Sequence, residues 1–467
     1  KTQPESGCDG RRSSISSISS MEEDVQKAPL KSSFLYRGSI QKELKRLEEA
    51  IDQADDILHY ETAHNPELLY ATDIVENFLR RKRRVCYGGT AINAILPENM
   101  KFYDKDKDLP DYDFFSPNPQ DDLVLLAKDL QNAGFTEVTE RIGIHEGTHK
   151  LLVNFIAIAD ITFMNPALYK IVHQRALKKD GIYYADPDFL RMNMYLELSR
   201  PRGQVTRWDK VYERLLLLNK AFPLKAKIKC STLPRSTSIP VEIREKLLGF
   251  LLNKHRVLVG AEVAALYSFS MGFKKFKSPG VQWFVKNGGT VIFLSPALVQ
   301  DSFEIKELLG KEITEIEVVK GLEGGILPNR AVVRCNGKAV AMMIEDQACH
   351  SYNTIHLNGN KELLVGSFDT LLTFYLAIQI FTKDHLFFGY SIACLCQKLI
   401  ELSSELRKKD KTFFPAFSVQ CSGYQKSFPT LLKEKVARIL KMKEEKGTRR
   451  SKSKSKGTRK LPIDIEG

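Results

Sequence analysis

Three features of this 467-residue chain could together carry chemistry. Asp111 and Asp113 flank Tyr112 in the run PDYDFFSP at 110–117. On a strand, residues i and i+2 face one side, so both carboxylates point the same way. Two acids on one face repel unless a cation lies between them. Asp160 stands inside the apolar run IAIADITF at 156–163. An ionised side chain there is costly unless it is paired or bound to a metal. The third feature is Gly88-Gly89-Thr90, between the apolar Val85-Cys86-Tyr87 and a helical Ala91 to Leu96. Two glycines let the backbone approach a ligand closely, and a helix start offers N–H groups to phosphate. Each feature alone has an ordinary reading: a solvated Asp pair, a satisfied core aspartate, a plain Gly-Gly turn. Together they describe a carboxylate site for two divalent cations about 3.5–4 Å apart, suited to in-line displacement at a phosphate. Mg²⁺ or Mn²⁺ would take carboxylate and phosphate oxygens as ligands, and no side-chain nucleophile is needed.

Alternating elements must position these residues. The spacing of Leu44, Leu47, Ile51 and Ile57 predicts an amphipathic helix over 39–60, and a second helix is expected over 66–82. A strand at 85–87 then leads into the Gly-Gly-Thr turn. A helix over 120–133, a strand over 136–141, and a buried strand or hairpin over 149–164 follow. Residues 187–222 read as largely helical. Strands alternating with helices indicate an α/β domain. Pro234 and Pro240 mark a linker, and a second α/β unit covers about 241–385, with a hairpin at Asn336-Gly337. The expected divisions are a disordered Ser-rich tail (1–33), a helical segment (34–82), a catalytic domain (83–225), a linker (226–240), a degenerate copy of that domain (241–442) and a disordered basic tail (443–467). The last carries most of the basic run at 441–460, ten Lys or Arg against two Glu.

The two units resemble each other. RVCYGGTAINAI at 84–95 matches RVLVGAEVAALY at 256–267, and DYDFFSP at 111–117 matches TVIFLSP at 290–296. A helix and then a strand follow in each. Asp111 and Asp113 correspond to Thr290 and Ile292, and Gly89 to Ala261. Acids needed for folding should persist in a copy with the same apolar pattern. Their loss assigns the chemistry to the first copy.

The order strand, Gly-Gly-Thr, helix, Asp-x-Asp, helix, single Asp resembles the polymerase-β-like nucleotidyltransferase superfamily. YGGTAIN, PDYDFFSP, the IADITFM strand, Leu198-Ser199-Arg200-Pro201 and the Arg207–Tyr212 stretch resemble, more closely, viral poly(A) polymerase catalytic subunits of poxviruses, African swine fever virus and mimivirus-type viruses. The specific match covers about 80–220. The resemblance implies Asp111, Asp113 and Asp160 as catalytic metal ligands and Gly88, Gly89 and Thr90 as triphosphate-binding residues. It implies transfer of AMP from ATP to an mRNA 3′ end, with Mg²⁺ or Mn²⁺ as cofactor. It further implies a degenerate second nucleotidyltransferase-like domain, a processivity subunit or homodimer as partner, and a host-cytoplasmic viral factory or the virion as location. The 22-residue step from Gly89 to Asp111 is longer than in most of the wider superfamily and fits the viral branch. Uridylyl or CCA addition at the same site, and a non-catalytic RNA-binding subunit, remain alternatives; the intact acids of the first copy argue against the last.

The net charge of +13 favours a polyanionic partner. Arg207, Lys210 and Arg214 lie at helical spacing and could contact triphosphate or RNA from one side of the cleft, or form a solvated face. Trp208 and Tyr212 read as core. Eight scattered cysteines without a C-x-x-C pair predict no disulfide framework and a reducing compartment. No signal peptide is visible, and no apolar run is long enough to span a bilayer. HEGTH at 145–149 matches a zinc-protease pattern, but that chemistry needs a helix and this segment reads as a hairpin loop.

Overall fold

A computed structural model describes residues 37–104, 106–224, 226, 230, 239–270, 288–322, 326–357, 361–382, 386–387, 390–409 and 413–455. The Ser-rich 1–33 and most of the expected linker lie outside them. The chain divides into a unit spanning 1–59 and a larger body spanning 60–467. Helix α1, Arg37–Ala63, exposes Leu44, Leu47, Ile51 and Ile57.

The first sheet is entered through α2, Pro66–Lys82. Asn65 caps it by accepting from the Glu67 and Leu68 amides, and Arg83, in left-handed conformation at φ 54°, ends it. The chain then forms β1 (Val85–Cys86), α3 (Gly88–Ile95), β2 (Tyr112–Ser116), α4 (Pro119–Asn132), β3 (Val138–Ile142), β4 (Thr148–Val153) and β5 (Ile156–Phe163). Next come α5 (Pro166–Arg175), β6 (Leu177–Lys179), β7 (Ile182–Tyr184), α6 (Pro187–Leu198) and α7 (Trp208–Ala221). Among the described residues the seven strands run in the order β3-β4-β5-β2-β1-β7-β6. β2 lies parallel to β5 and antiparallel to β1, and β1 is parallel to β7.

The second half repeats this plan. α8 (Val241–Lys254) ends on His255, also left-handed at φ 51°. It leads into β8 (Val257–Leu258), α9 (Glu262–Ser270), β9 (Val291–Ser295) and α10 (Leu298–Leu309). β10 (Glu315–Val319), β11 (Arg330–Cys335), β12 (Lys338–Glu345), β13 (His350–Leu357) and β14 (Lys361–Gly366) follow. The order β10-β11-β12-β9-β8-β14-β13 matches the first sheet position by position, with the same parallel and antiparallel pairs; Cys421–Ser422 adds an edge strand. The duplication read from short sequence matches is therefore a duplication of topology. Asn336 and Gly337 form the expected β11–β12 turn, both at positive φ.

Helix α6 packs against α11 (Phe368–Phe381), the corresponding helix of the second half. Trp208 and Tyr212 of α7 are half-buried. They meet Phe417, over which the Arg407 guanidinium sits at 4.2 Å. Arg407, at the end of α12 (Ile392–Arg407), is held by the buried Asp369 at 2.7 Å.

Two expectations fail here. Cys349 pairs with Cys421 and Cys230 with Cys394 as disulfides, across 72 and 164 residues of sequence. Tertiary pairing at such separations leaves no local spacing to read. The basic run is also helical further than its composition suggested. α13, Phe428–Ser455, carries helix well past residue 443, in a segment rich in Lys, Arg and Glu, which favour helix.

Candidate functional site

Parallel pairing of β2 with β5 puts Asp113 directly beside Asp160. Their strand neighbours Tyr112, Phe114, Ala159 and Ile161 are buried, which fixes the register. Asp111 lies one residue ahead of β2, two before Asp113. The three charges sense one another. Loss of water first, and then Asp111 and Asp160, push the Asp113 carboxyl from its usual value up to about 8. Desolvation and then Asp160 raise Asp111 to about 6. Lys150 on β4 opposes both shifts, and its Nζ lies 3.0 Å from Asp160 Oδ2.

This donor set fits a hard divalent cation. All three side chains offer carboxylate oxygens. Crowding penalises their charged forms, a penalty that a bound cation would relieve. The side chains are not drawn into a preformed cage. Among the described residues no three His, Cys, Asp or Glu groups converge as a metal site, and Asp160 engages Lys150 instead.

The glycine turn abuts the acids. Helix α3 starts at Gly88 itself rather than at Ala91, so both glycines belong to its first turn. Tyr87 precedes it and supplies no side-chain cap, so no side chain there competes for the first-turn amides. Gly88 has φ +74°, and a Cβ there would overlap the Asp113 carboxylate. A Cβ on Gly89 would overlap the Tyr103 hydroxyl and the Arg214 guanidinium. The Thr90 hydroxyl donates to the Asp111 carbonyl oxygen at 2.7 Å, tying the turn to the acid segment. Gly88→Ala is therefore expected to cost about 1–3 kcal/mol through backbone strain alone. It should also displace Asp113, lowering activity more than stability. Thermal unfolding read beside turnover checks this, and a variant with unchanged turnover would refute the close approach.

The three basic residues at helical spacing separate. Arg214 is buried behind the turn, 4.6 Å from the Phe102 ring centroid and 3.2 Å from the Tyr103 hydroxyl to which it donates. Arg207 is exposed, 3.5 Å from Glu197, and its charge reaches Asp113. Lys210 is exposed; partial burial, then Arg214 and Arg207, lower its pKa, and Asp108 and Asp209 oppose the shift. Lys150 was not singled out by sequence. The zinc-protease look-alike lies in the β3–β4 hairpin, where His149 is buried against Glu140 at 2.9 Å.

The second sheet shows which residues the fold itself requires. At the register positions of Asp111, Asp113 and Asp160 stand Thr290, Ile292 and Met342. The Thr290 hydroxyl donates to the Ala339 carbonyl oxygen at 2.8 Å, and Ile292 and Met342 are buried. Glu262, in place of Thr90, is buried and accepts from the Gly289 amide at 2.6 Å. Another trio is kept. Arg84 donates to Asp122 at 2.6 and 3.0 Å, and the Ser116 hydroxyl donates to the same carboxylate at 2.6 Å; Arg256 and Ser295 bind Asp301 in the same way, at 2.8, 2.9 and 2.6 Å. The duplicate keeps this buried acid and has lost the crowded ones.

Residues 73–204 match the family described as Poly(A) polymerase catalytic subunit. A protein of Acanthamoeba polyphaga mimivirus named for that subunit is 33% identical over 159 residues, 33% of this chain and 26% of its own length. One from African swine fever virus, named likewise, is 29% identical over 185 residues, 38% of each chain. This chain thus spans well under half of the curated relatives it matches. The crystal structure of the Megavirus polyadenylate synthase aligns with a TM-score of 0.66 at 20% identity, over 91% of this chain and 86% of that one. The likeness establishes a shared α/β fold.

Proposed function

We propose that this chain, whose residues 73–204 match the model of the poly(A) polymerase catalytic-subunit family, transfers AMP from ATP to the 3′-hydroxyl of RNA. The observation that carries the reading is the contrast between the two sheets. The first places Asp113 beside Asp160 and presses Gly88 against the Asp113 carboxylate. The second keeps the topology and the Arg–Asp–Ser trio but replaces all three acids with uncharged residues.

Asp111, Asp113 and Asp160 would hold Mg²⁺ or Mn²⁺, which when bound supplies positive charge to the attacking and leaving oxygens. The first-turn amides of α3 face the triphosphate, where a helix N-terminus favours anions. Gly88 and Gly89 leave room for that approach, and Thr90 fixes the turn to Asp111. Arg207 adds positive charge on the Asp113 side. In the reaction the RNA 3′-oxygen bonds to the α-phosphorus of ATP, the bond to the β-phosphate oxygen breaks, and pyrophosphate and the hydroxyl proton leave.

A primer-extension assay with each NTP separately, with and without Mg²⁺ or Mn²⁺, tests the reading. ATP-selective extension that EDTA abolishes and added metal restores is the expected result. Extension with UTP or CTP in place of ATP would keep the site and replace the function. No extension with any nucleotide, by a folded protein that still binds RNA, would favour a binding subunit or one dependent on a separate polypeptide.

A further inference from the structure

A groove of about 330 Å³ opens where α6 ends. One wall is the segment after α6, with Arg200, Arg202 and Arg207, and the β3–β4 turn at Ile144 and His145. The other wall comes from the C-terminal end of the chain, with Lys426, Phe428 and Leu431. The walls are joined where Arg438 of α13 donates to the Ile144 carbonyl oxygen at 2.9 Å.

The charge of this groove is unbalanced. Glu197 lines it but faces Arg207, and Lys426 is paired with Glu434 at 2.8 Å. Arg200 has no such partner among the described residues. Its Nε is buried without a hydrogen bond, and no carboxylate raises its pKa against the depression by burial. A guanidinium with one N–H cut off from water and no anion beside it is unfavourable, and a phosphate is a ligand whose geometry matches it. Arg202 is exposed on the same wall. Opposite, Phe428 leaves 56% of its surface open to solvent. Basic side chains interleaved with an open aromatic ring suit a single strand, whose phosphates take the charges while a base stacks.

We propose that this groove binds the RNA strand just upstream of its 3′ end, with Arg200 and Arg202 on a backbone phosphate and Phe428 stacked on a base. The assignment rests on the polymerase reading above. Arg207 lines the groove, and its charge also reaches Asp113.

The test measures fluorescence anisotropy of a labelled oligoadenylate with a free 3′-hydroxyl, over a range of salt, on the full chain. Arg202→Ala should weaken binding and reduce the slope of log K against log salt by about 0.7, one phosphate contact on a single strand. Phe428→Ala should weaken binding by about 5- to 150-fold with little change in slope. Both side chains are exposed, so folding should survive even if Arg200→Gln proves unstable. Displacement of a fluorescent ATP analogue by ATP should be unchanged in each variant. Unchanged RNA affinity in both variants would overturn the proposal. So would an equal loss of ATP affinity, which would make the groove a triphosphate site. Binding is read without turnover. A protein that binds RNA through these residues yet extends it with no nucleotide would leave the groove standing and make the chain a binding subunit or one dependent on a separate polypeptide. A protein that extends RNA while both variants bind normally would overturn the groove alone.

Discussion

Asp113→Asn is expected to lower RNA extension by about 10²- to 10³-fold while leaving the protein folded, the range commonly lost with a single group on which stabilisation of developing charge depends. The same change should make the metal-free protein more stable, not less. Asp113 is crowded by Asp111 and Asp160, and its carboxyl is pushed from 3.8 to about 8. A carboxyl with a raised folded-state pKa binds its proton more tightly in the folded chain than in the unfolded one. Its ionisation therefore removes stability as pH rises from about 4 to about 8, with the loss complete above the folded value. Metal-free wild type should lose melting temperature across that window, and Asp113→Asn should lose less. Added Mg²⁺ should restore wild type and do less for the variant. Turnover and melting curves recorded on the same preparations decide the matter. Retained extension, or a destabilised variant at pH 8, would mean that Asp113 serves the fold.

Asp301→Ala should behave in the opposite way, unfolding the second half by about 3 kcal/mol, because it strips one member from a buried ion pair. Asp301 is fully buried and accepts from Arg256 twice and from the Ser295 hydroxyl. Its removal leaves a half-buried guanidinium and a hydroxyl without their acceptor. Asp122→Ala in the first half removes the equivalent bonds to Arg84 and Ser116 and should cost a similar amount. Denaturant melts of the two variants give the comparison. A shift below about 1 kcal/mol in either would show that the trio is tolerated rather than required. Taken with Asp113→Asn, the pair separates acids that hold the sheet from acids that the sheet holds.

The sequence alone determined the identity of the candidate site residues and the duplication. Asp111 and Asp113 were legible because strand periodicity is local. Asp160 was legible because one acid in an apolar run is anomalous whatever surrounds it. The repeat was legible because two short apolar patterns recur in the same order, and the matched sheets follow from them. Only the tertiary structure decided what those acids face. Counting back from the Asn154-Phe155 turn pairs Lys150 with Ala159, but a bulge at Leu151/Leu152 shifts the register by one and sets Lys150 opposite Asp160. A bulge depends on packing, not on any local signature. The same holds for Arg214, whose spacing suggested the cleft but which buries itself against Phe102 and Tyr103, and for Cys349 and Cys421, far apart in sequence. The groove at Arg200 needs residues more than 200 positions apart to form its two walls. Local periodicity names side chains; which of them meet is settled by long-range pairing that no window of sequence contains.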